Sequence, residues 1–212
     1  MAAQEVLERY VAKSAILSRQ QMPETIPLVD VVRVLNRAKI SFVLAGAHGL
    51  AAWRKKPRAT EDVDVVVAVR QVKKAVRMLL AAFPQLEPVD LPVVVRLRER
   101  GTEDVAIDVM KPLQQPYMEV FKHTKKVSIQ GETYRIPSLE MAIVMKFSAM
   151  TSLYRADADK FLDAHDFMLM VQGNRDFDRK TVVELASLIY ADGGKDVLEM
   201  VRKIQAGEKL IL

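Results

Sequence analysis

Cysteine is absent from the 212 residues. That excludes disulfides, thiolate zinc sites, iron–sulfur clusters and cysteine nucleophiles. Nor does any apolar run approach the roughly 18 residues that a membrane-spanning helix needs. The stretch Met1–Tyr10 is charged and lacks the apolar centre of a signal peptide, so a cytoplasmic protein with no membrane partner is expected. Internal repeats and low-complexity tracts are missing too. Charge of one sign is not in large excess: 32 Lys+Arg against 27 Asp+Glu leave +5. Such a balance is compatible with polyphosphate or nucleic-acid partners and argues for neither. What remains is the composition of a folded soluble chain, long enough for one sizeable core or for two lobes sharing an interface.

Apolar spacing and the Pro and Gly breaks order the elements. Residues 4–19 and Asp30–Lys39 are apolar at helical intervals. Ile40–Ala45 reads as a strand, Gly46 ends it, and His48–Lys55 is helix-like. A strand is expected at Val63–Val69 and a helix at Gln71–Phe83. Pro84, Pro88 and Pro92 mark a loop, followed by strands at Val93–Leu97 and Val105–Met110. Val127–Ile129 and Thr133–Ile136 suggest a hairpin. Helices are expected at Leu139–Leu153, Ala156–Val171, Lys180–Ile189 and Asp192–Ala206. The expected class is α+β: a mixed sheet flanked by helices over 1–137, with N-terminal helices, and a helical lobe over 138–212.

Against that background, two strand-like runs carry acid in the middle of valine: Asp62-Val63-Asp64-Val65 and Ile107-Asp108-Val109. Side chains two apart on a strand share a face, so Asp62 and Asp64 project together. Two carboxylates in an apolar setting repel each other, and one stays protonated unless a cation intervenes. Magnesium prefers oxygen ligands and keeps water positions open for phosphate oxygens. Asp108 completes a candidate site for two such ions. An isolated Asp-x-Asp is most often a solvated strand edge. Here the run is apolar on both faces, which suits a central strand. A glycine turn, Leu44-Ala45-Gly46-Ala47, follows a strand and precedes a helix, the geometry in which backbone N–H groups bind phosphate.

In this order, Gly46-Ala47, then Arg58-Ala59-Thr60-Glu61-Asp62-Val63-Asp64, then Ile107-Asp108-Val109 resembles the nucleotidyltransferase superfamily that includes the DNA polymerase β palm. Within it, the stretch is similar to the minimal branch containing the AbiEii-type toxins of toxin–antitoxin systems. The resemblance covers roughly residues 40–170. It implies an enzyme that moves a nucleoside monophosphate from an NTP to a hydroxyl of an RNA (a tRNA end, for one), a protein or a small molecule. Asp62, Asp64 and Asp108 would hold two Mg2+ ions. Gly46, Ala47, Arg58, Thr60 and Lys146 would contact the nucleotide, and an antitoxin would be a partner. The alternative is a catalytically inactive descendant that binds or regulates. Ala47 stands where Gly or Ser is usual, and Leu162 where a lysine precedes Asp163.

Other readings of single residues stay open at this level. Arg58 and Thr60 serve the acids or phosphate, or simply form the loop before the strand. Lys146 contacts phosphate or snorkels to the surface from an apolar helix. Asp163 and Asp166, one helical turn apart, orient Lys146 or an arginine rather than bind metal. His48 lies near the turn, although a lone histidine is more often incidental. Arg96, Arg98 and Arg100 form a basic acceptor face or a solvated one.

Overall fold

A computed structural model describes residues 3–209. Five strands form one sheet in the order β1-β2-β5-β4-β3, from Phe42–Leu44 (β1), Val63–Val67 (β2), Leu86–Asp90 (β3), Val94–Glu99 (β4) and Val105–Met110 (β5). Only the β2–β5 pair is parallel; β1–β2, β5–β4 and β4–β3 are antiparallel. β2 is therefore interior. Its valines 63, 65, 66 and 67 are buried, as expected of a strand covered on both faces.

The register between β2 and β5 sets Asp64 directly beside Asp108. Asp62 falls one residue ahead of β2.

The Pro-marked stretch differs from the sequence expectation. Leu86–Asp90 is a strand, with Pro88 paired to Leu97 of β4. It lies at the sheet's edge, where one side of the backbone has no ladder partner, so the missing N–H of proline is tolerated. A short 3-10 helix at Tyr117–Lys122 was also not anticipated. The hairpin of β6 (Thr124–Ile129) and β7 (Glu132–Pro137) is present as a separate two-stranded sheet, with β7 against β1.

Two helices precede the sheet, α1 (Ala3–Gln21) and α2 (Leu28–Arg37); α3 (Gly46–Arg54) follows β1 and α4 (Val72–Ala82) follows β2. After β7 come α5 (Leu139–Met150), α6 (Asp157–Gly173), α7 (Arg179–Ser187) and α8 (Gly193–Ala206). The Ser138 hydroxyl caps α5 by accepting from Met141 N–H.

α3 is the hub. It packs against α1, β2, β7, α5 and α6, and all but its first residue are buried. Gly49 lets it approach β1, since a Cβ there would sit 2.2 Å from the Leu44 carbonyl oxygen. At its C-terminal end the Trp53 indole donates to the Pro137 carbonyl (2.9 Å), and Asn174 Nδ2 donates to the Trp53 carbonyl (2.7 Å). One cluster of buried apolar side chains runs from Val11 to Ile204 and includes residues of both the sheet and the C-terminal helices.

Candidate active site

The three strand acids converge. Asp62, Asp64 and Asp108 each offer a carboxylate oxygen, and these oxygens lie within 4.8 Å of one another. The register of β2 and β5 accounts for two of the three positions. Thr60 accounts for the third, because its hydroxyl donates to Asp62 Oδ1 at 2.6 Å. Thr60 is itself fixed by α1: Ser18 Oγ accepts its backbone N–H at 3.0 Å. Buried serines on α1 thus reach the loop that carries Asp62.

The acids are electrostatically incomplete. Burial, then the charges of Asp62 and Asp108, push the Asp64 carboxyl up to about 8, with Lys146 and Arg155 opposing the rise. Asp108 is pushed up to about 6 by burial, with Arg96 lowering it and Asp62 raising it. Asp108 Oδ1 is buried without a hydrogen bond, and Arg96 Nε approaches it only to 3.6 Å. An all-oxygen cluster with an orphaned buried oxygen fits a hard divalent cation.

Gly46 packs on this cluster. Its φ is +54°, and a Cβ added there would fall 1.6 Å from Asp64 Oδ2. Only glycine permits both the backbone conformation and the contact. Ala45 N–H donates to the Asp64 carbonyl at 2.8 Å, which ties the turn to β2. The first N–H groups of α3 begin at this turn and have no partners within the helix. Ala47 follows, with its side chain buried away from solvent.

Behind Asp64 lies a second set of charges. Lys146 Nζ on α5 donates to Asp163 Oδ1 at 2.6 Å and lies 3.0 Å from Asp166 Oδ2. Arg54, at the end of α3, sits 2.7 Å from Asp166 Oδ1, and Arg155 Nε pairs with Asp163 Oδ2. Three cations face two carboxylates, both nearly inaccessible. Lys146 is thereby a partly buried ammonium anchored by two carboxylates and not a snorkelling one. Tyr117 is pushed up to about 12 by burial, then by the charges of Asp163 and Asp64, with Arg155 opposing.

On the Asp62 flank lie a buried histidine and Arg58. His48 is 3 % exposed and held down to about 4 by burial, with Asp62 opposing and Arg58 assisting. Ser14 donates its one proton to the Arg58 carbonyl (3.1 Å), so the contact from Ser14 Oγ to His48 Nδ1 (3.1 Å) requires Nδ1–H to be the donor. Arg58 and Thr60 also line an open groove with Asp62, Glu103 and Asp104.

No family model matches the chain, and no curated protein matches it. Solved structures do. The antibiotic-resistance factor ANT(2'')-Ia, in its solution structure, matches with a TM-score of 0.51 at 10% identity, covering 85% of this chain and 91% of its own. Its crystal structure in complex with adenylyl-2''-tobramycin matches with a TM-score of 0.52 at 11% identity, covering 83% and 95%. The chain has a nucleotidyltransferase-like fold. An antigenic nucleotidyltransferase-like protein from Paracoccidioides brasiliensis also matches, at 20% identity over 86% and 93% of the two chains, with a TM-score of 0.49.

Within this nucleotidyltransferase-like fold, the structure brings together Gly46, Thr60, Asp62, Asp64 and Asp108, with Lys146 within electrostatic reach of Asp64. Several neighbours were not singled out by sequence. Arg155 precedes α6 in a turn without periodic signal, yet it occupies Asp163; Lys160, the nearer lysine in sequence, lies 3.4 Å from Asp157. Arg54 ends a helix as many arginines do. Ser14 and Ser18 look like ordinary polar positions on α1. Arg96 is exposed, as a solvated face requires, and strand pairing also sets it opposite Asp108.

Proposed function

We propose that the protein transfers a nucleoside monophosphate from an NTP to an acceptor hydroxyl, using magnesium held by Asp62, Asp64 and Asp108. The observation that carries this reading is the parallel register that sets Asp64 beside Asp108, with Asp62 within 4.8 Å. Bound magnesium would neutralise the acids and supply electrostatic stabilisation to the phosphates. The chain's own groups account for the rest. The Gly46–Ala47 turn offers backbone N–H groups to the triphosphate. Lys146 and Arg155 place positive charge on the Asp64 side, where the departing pyrophosphate gains charge. Asp108 also takes the proton of the acceptor hydroxyl. The acceptor oxygen bonds to the α-phosphorus as the bond from that phosphorus to the bridging oxygen breaks.

Assignment to the minimal, AbiEii-type branch rests on the Arg58-x-Thr60-x-Asp62-x-Asp64 form. Membership of that branch, with an RNA or protein acceptor, would be consistent with the toxin of a toxin–antitoxin pair. A non-catalytic nucleotide-binding module is the second reading, and Ala47, which brings no hydroxyl, favours it. Arg155 counts against it, since it supplies Asp163 with the cation that Leu162 does not. Each labelled NTP, incubated with magnesium and with tRNA or a small-molecule extract, decides between them. Label transfer that Asp64→Ala abolishes supports the enzyme; nucleotide binding without transfer, indifferent to magnesium, supports the module.

A further inference from the structure

The acid cluster has two unlike flanks. On the Asp64 side are Lys146, Arg155 and the glycine turn. On the Asp62 side a cavity of about 70 Å³ opens under α1, walled by α1, the start of α2, the 60–63 segment and the tip of the β6–β7 hairpin. Its wall includes Ile26, Leu28 and Val63, all buried. Charged side chains lining it other than Asp62, namely Arg19 and Glu61, belong to exposed residues.

Two polar groups in this wall have unused hydrogen-bonding capacity. Tyr134 is 6 % exposed, and its hydroxyl is buried with no hydrogen-bond partner among the described residues. The Nδ1–H of His48 is committed to Ser14, which leaves Nε2 with a lone pair and no hydrogen bond among the described residues. Buried polar groups in native proteins are satisfied, so the orphaned Tyr134 hydroxyl calls for an occupant of the cavity, to which His48 Nε2 offers an acceptor. With Asp62 committed to the cation of the proposed metal site, an ionised body would find no free buried counter-charge in this wall and is disfavoured. A polynucleotide needs a basic track along its backbone, which this cavity lacks.

We propose that this cavity is the acceptor site, and that it receives a small uncharged alcohol. The apolar body packs between α1 and α2, His48 Nε2 and the Tyr134 hydroxyl make the polar contacts, and the reacting hydroxyl meets the Asp62 edge of the acid cluster. This assignment rests on the nucleotidyl-transfer reading and narrows its acceptor to one class.

The test uses the full chain, 15N-labelled, titrated with benzyl alcohol, toluene and benzylamine, and separately with ATP and magnesium. Benzyl alcohol is expected to shift the amides of Ala15, Val29 and His48, binding about tenfold more tightly than toluene or benzylamine. Tyr134→Phe narrows the gap to toluene. Ile16→Trp, at a half-exposed position on the wall, removes alcohol binding while leaving ATP–magnesium binding intact. Equal binding of toluene and benzyl alcohol, or no shift at the cavity while ATP–magnesium still binds, overturns the cavity assignment alone. Alcohol binding without any nucleotide binding overturns the acceptor role. So does label transfer to tRNA that Ile16→Trp leaves unchanged; transfer to small alcohols that Ile16→Trp abolishes supports the proposal.

Discussion

Two groups of aspartates, one on α6 and one at the sheet, are in opposite electrostatic conditions. Asp163 and Asp166 on α6 face Lys146, Arg54 and Arg155, each carboxylate in contact with two cations. Asp62, Asp64 and Asp108 at the sheet face one another, with a single arginine at 3.6 Å. The first group finds its counter-charges within the fold, although Asp163 Oδ2 and both Asp166 oxygens are held by ion pairs without a well-formed hydrogen bond. The second is stable only if protons or cations are added. Residue type alone therefore does not identify a metal site; the local balance of charge does.

Breaking the finished group should have the larger effect on folding. Asp166→Leu leaves Arg54 and Lys146 short of a buried counter-charge and is expected to cost about 3–5 kcal/mol, read by urea unfolding. Asp64→Asn should do the reverse. It removes a repelled carboxyl, so the cation-free protein holds or gains stability, while nucleotidyl transfer and magnesium binding are lost. If Asp64→Asn destabilises as much as Asp166→Leu, the contrast between the groups is wrong. Next in size is Thr60→Val, which frees Asp62; magnesium affinity should fall by about 10- to 100-fold by calorimetry, with little change in melting temperature.

The smallest effect is on pH dependence. Asp64 titrates near 8 in the fold against about 3.8 ordinarily, so its contribution to stability is full below about pH 4 and is lost as pH rises through 8. His48 acts oppositely: held at about 4 against an ordinary 6.5, it contributes above 6.5 and loses that contribution as pH falls through 4. Asp108, near 6, has mostly ionised by pH 7. Between pH 6.5 and 8 the remaining slope belongs to Asp64, and stability of the cation-free protein should decline there. Excess magnesium or Asp64→Asn should flatten it in thermal melts; a slope that persists in Asp64→Asn assigns it to another group.

The unfinished group was legible in sequence because acids embedded in valine runs violate the expectation for a buried strand. The convergence of Asp62, Asp64 and Asp108 followed from period-two geometry and one parallel pairing. The anchoring of Lys146 by Asp163 and Asp166 was half legible, since one helical turn places the two acids together. Their other partners were not, because Arg54 and Arg155 come from distant or aperiodic segments and only tertiary packing delivers them. β3 was hidden by its prolines, which report the lost N–H but not whether a neighbour needed it. The α1 serines were hidden because their hydrogen bonds reach across more than forty residues to Thr60 and Arg58.

The helix α3 begins at the glycine that touches Asp64 and ends at the arginine that touches Asp166. Nine residues of helix make a rod of about 13 Å. A rod does not stretch, so the cradle for phosphate and the buried ion network are mechanically geared to each other. A displacement of Arg54 along the helix axis would therefore reach Gly46 and the acids, and a push on Gly46 would reach Asp166.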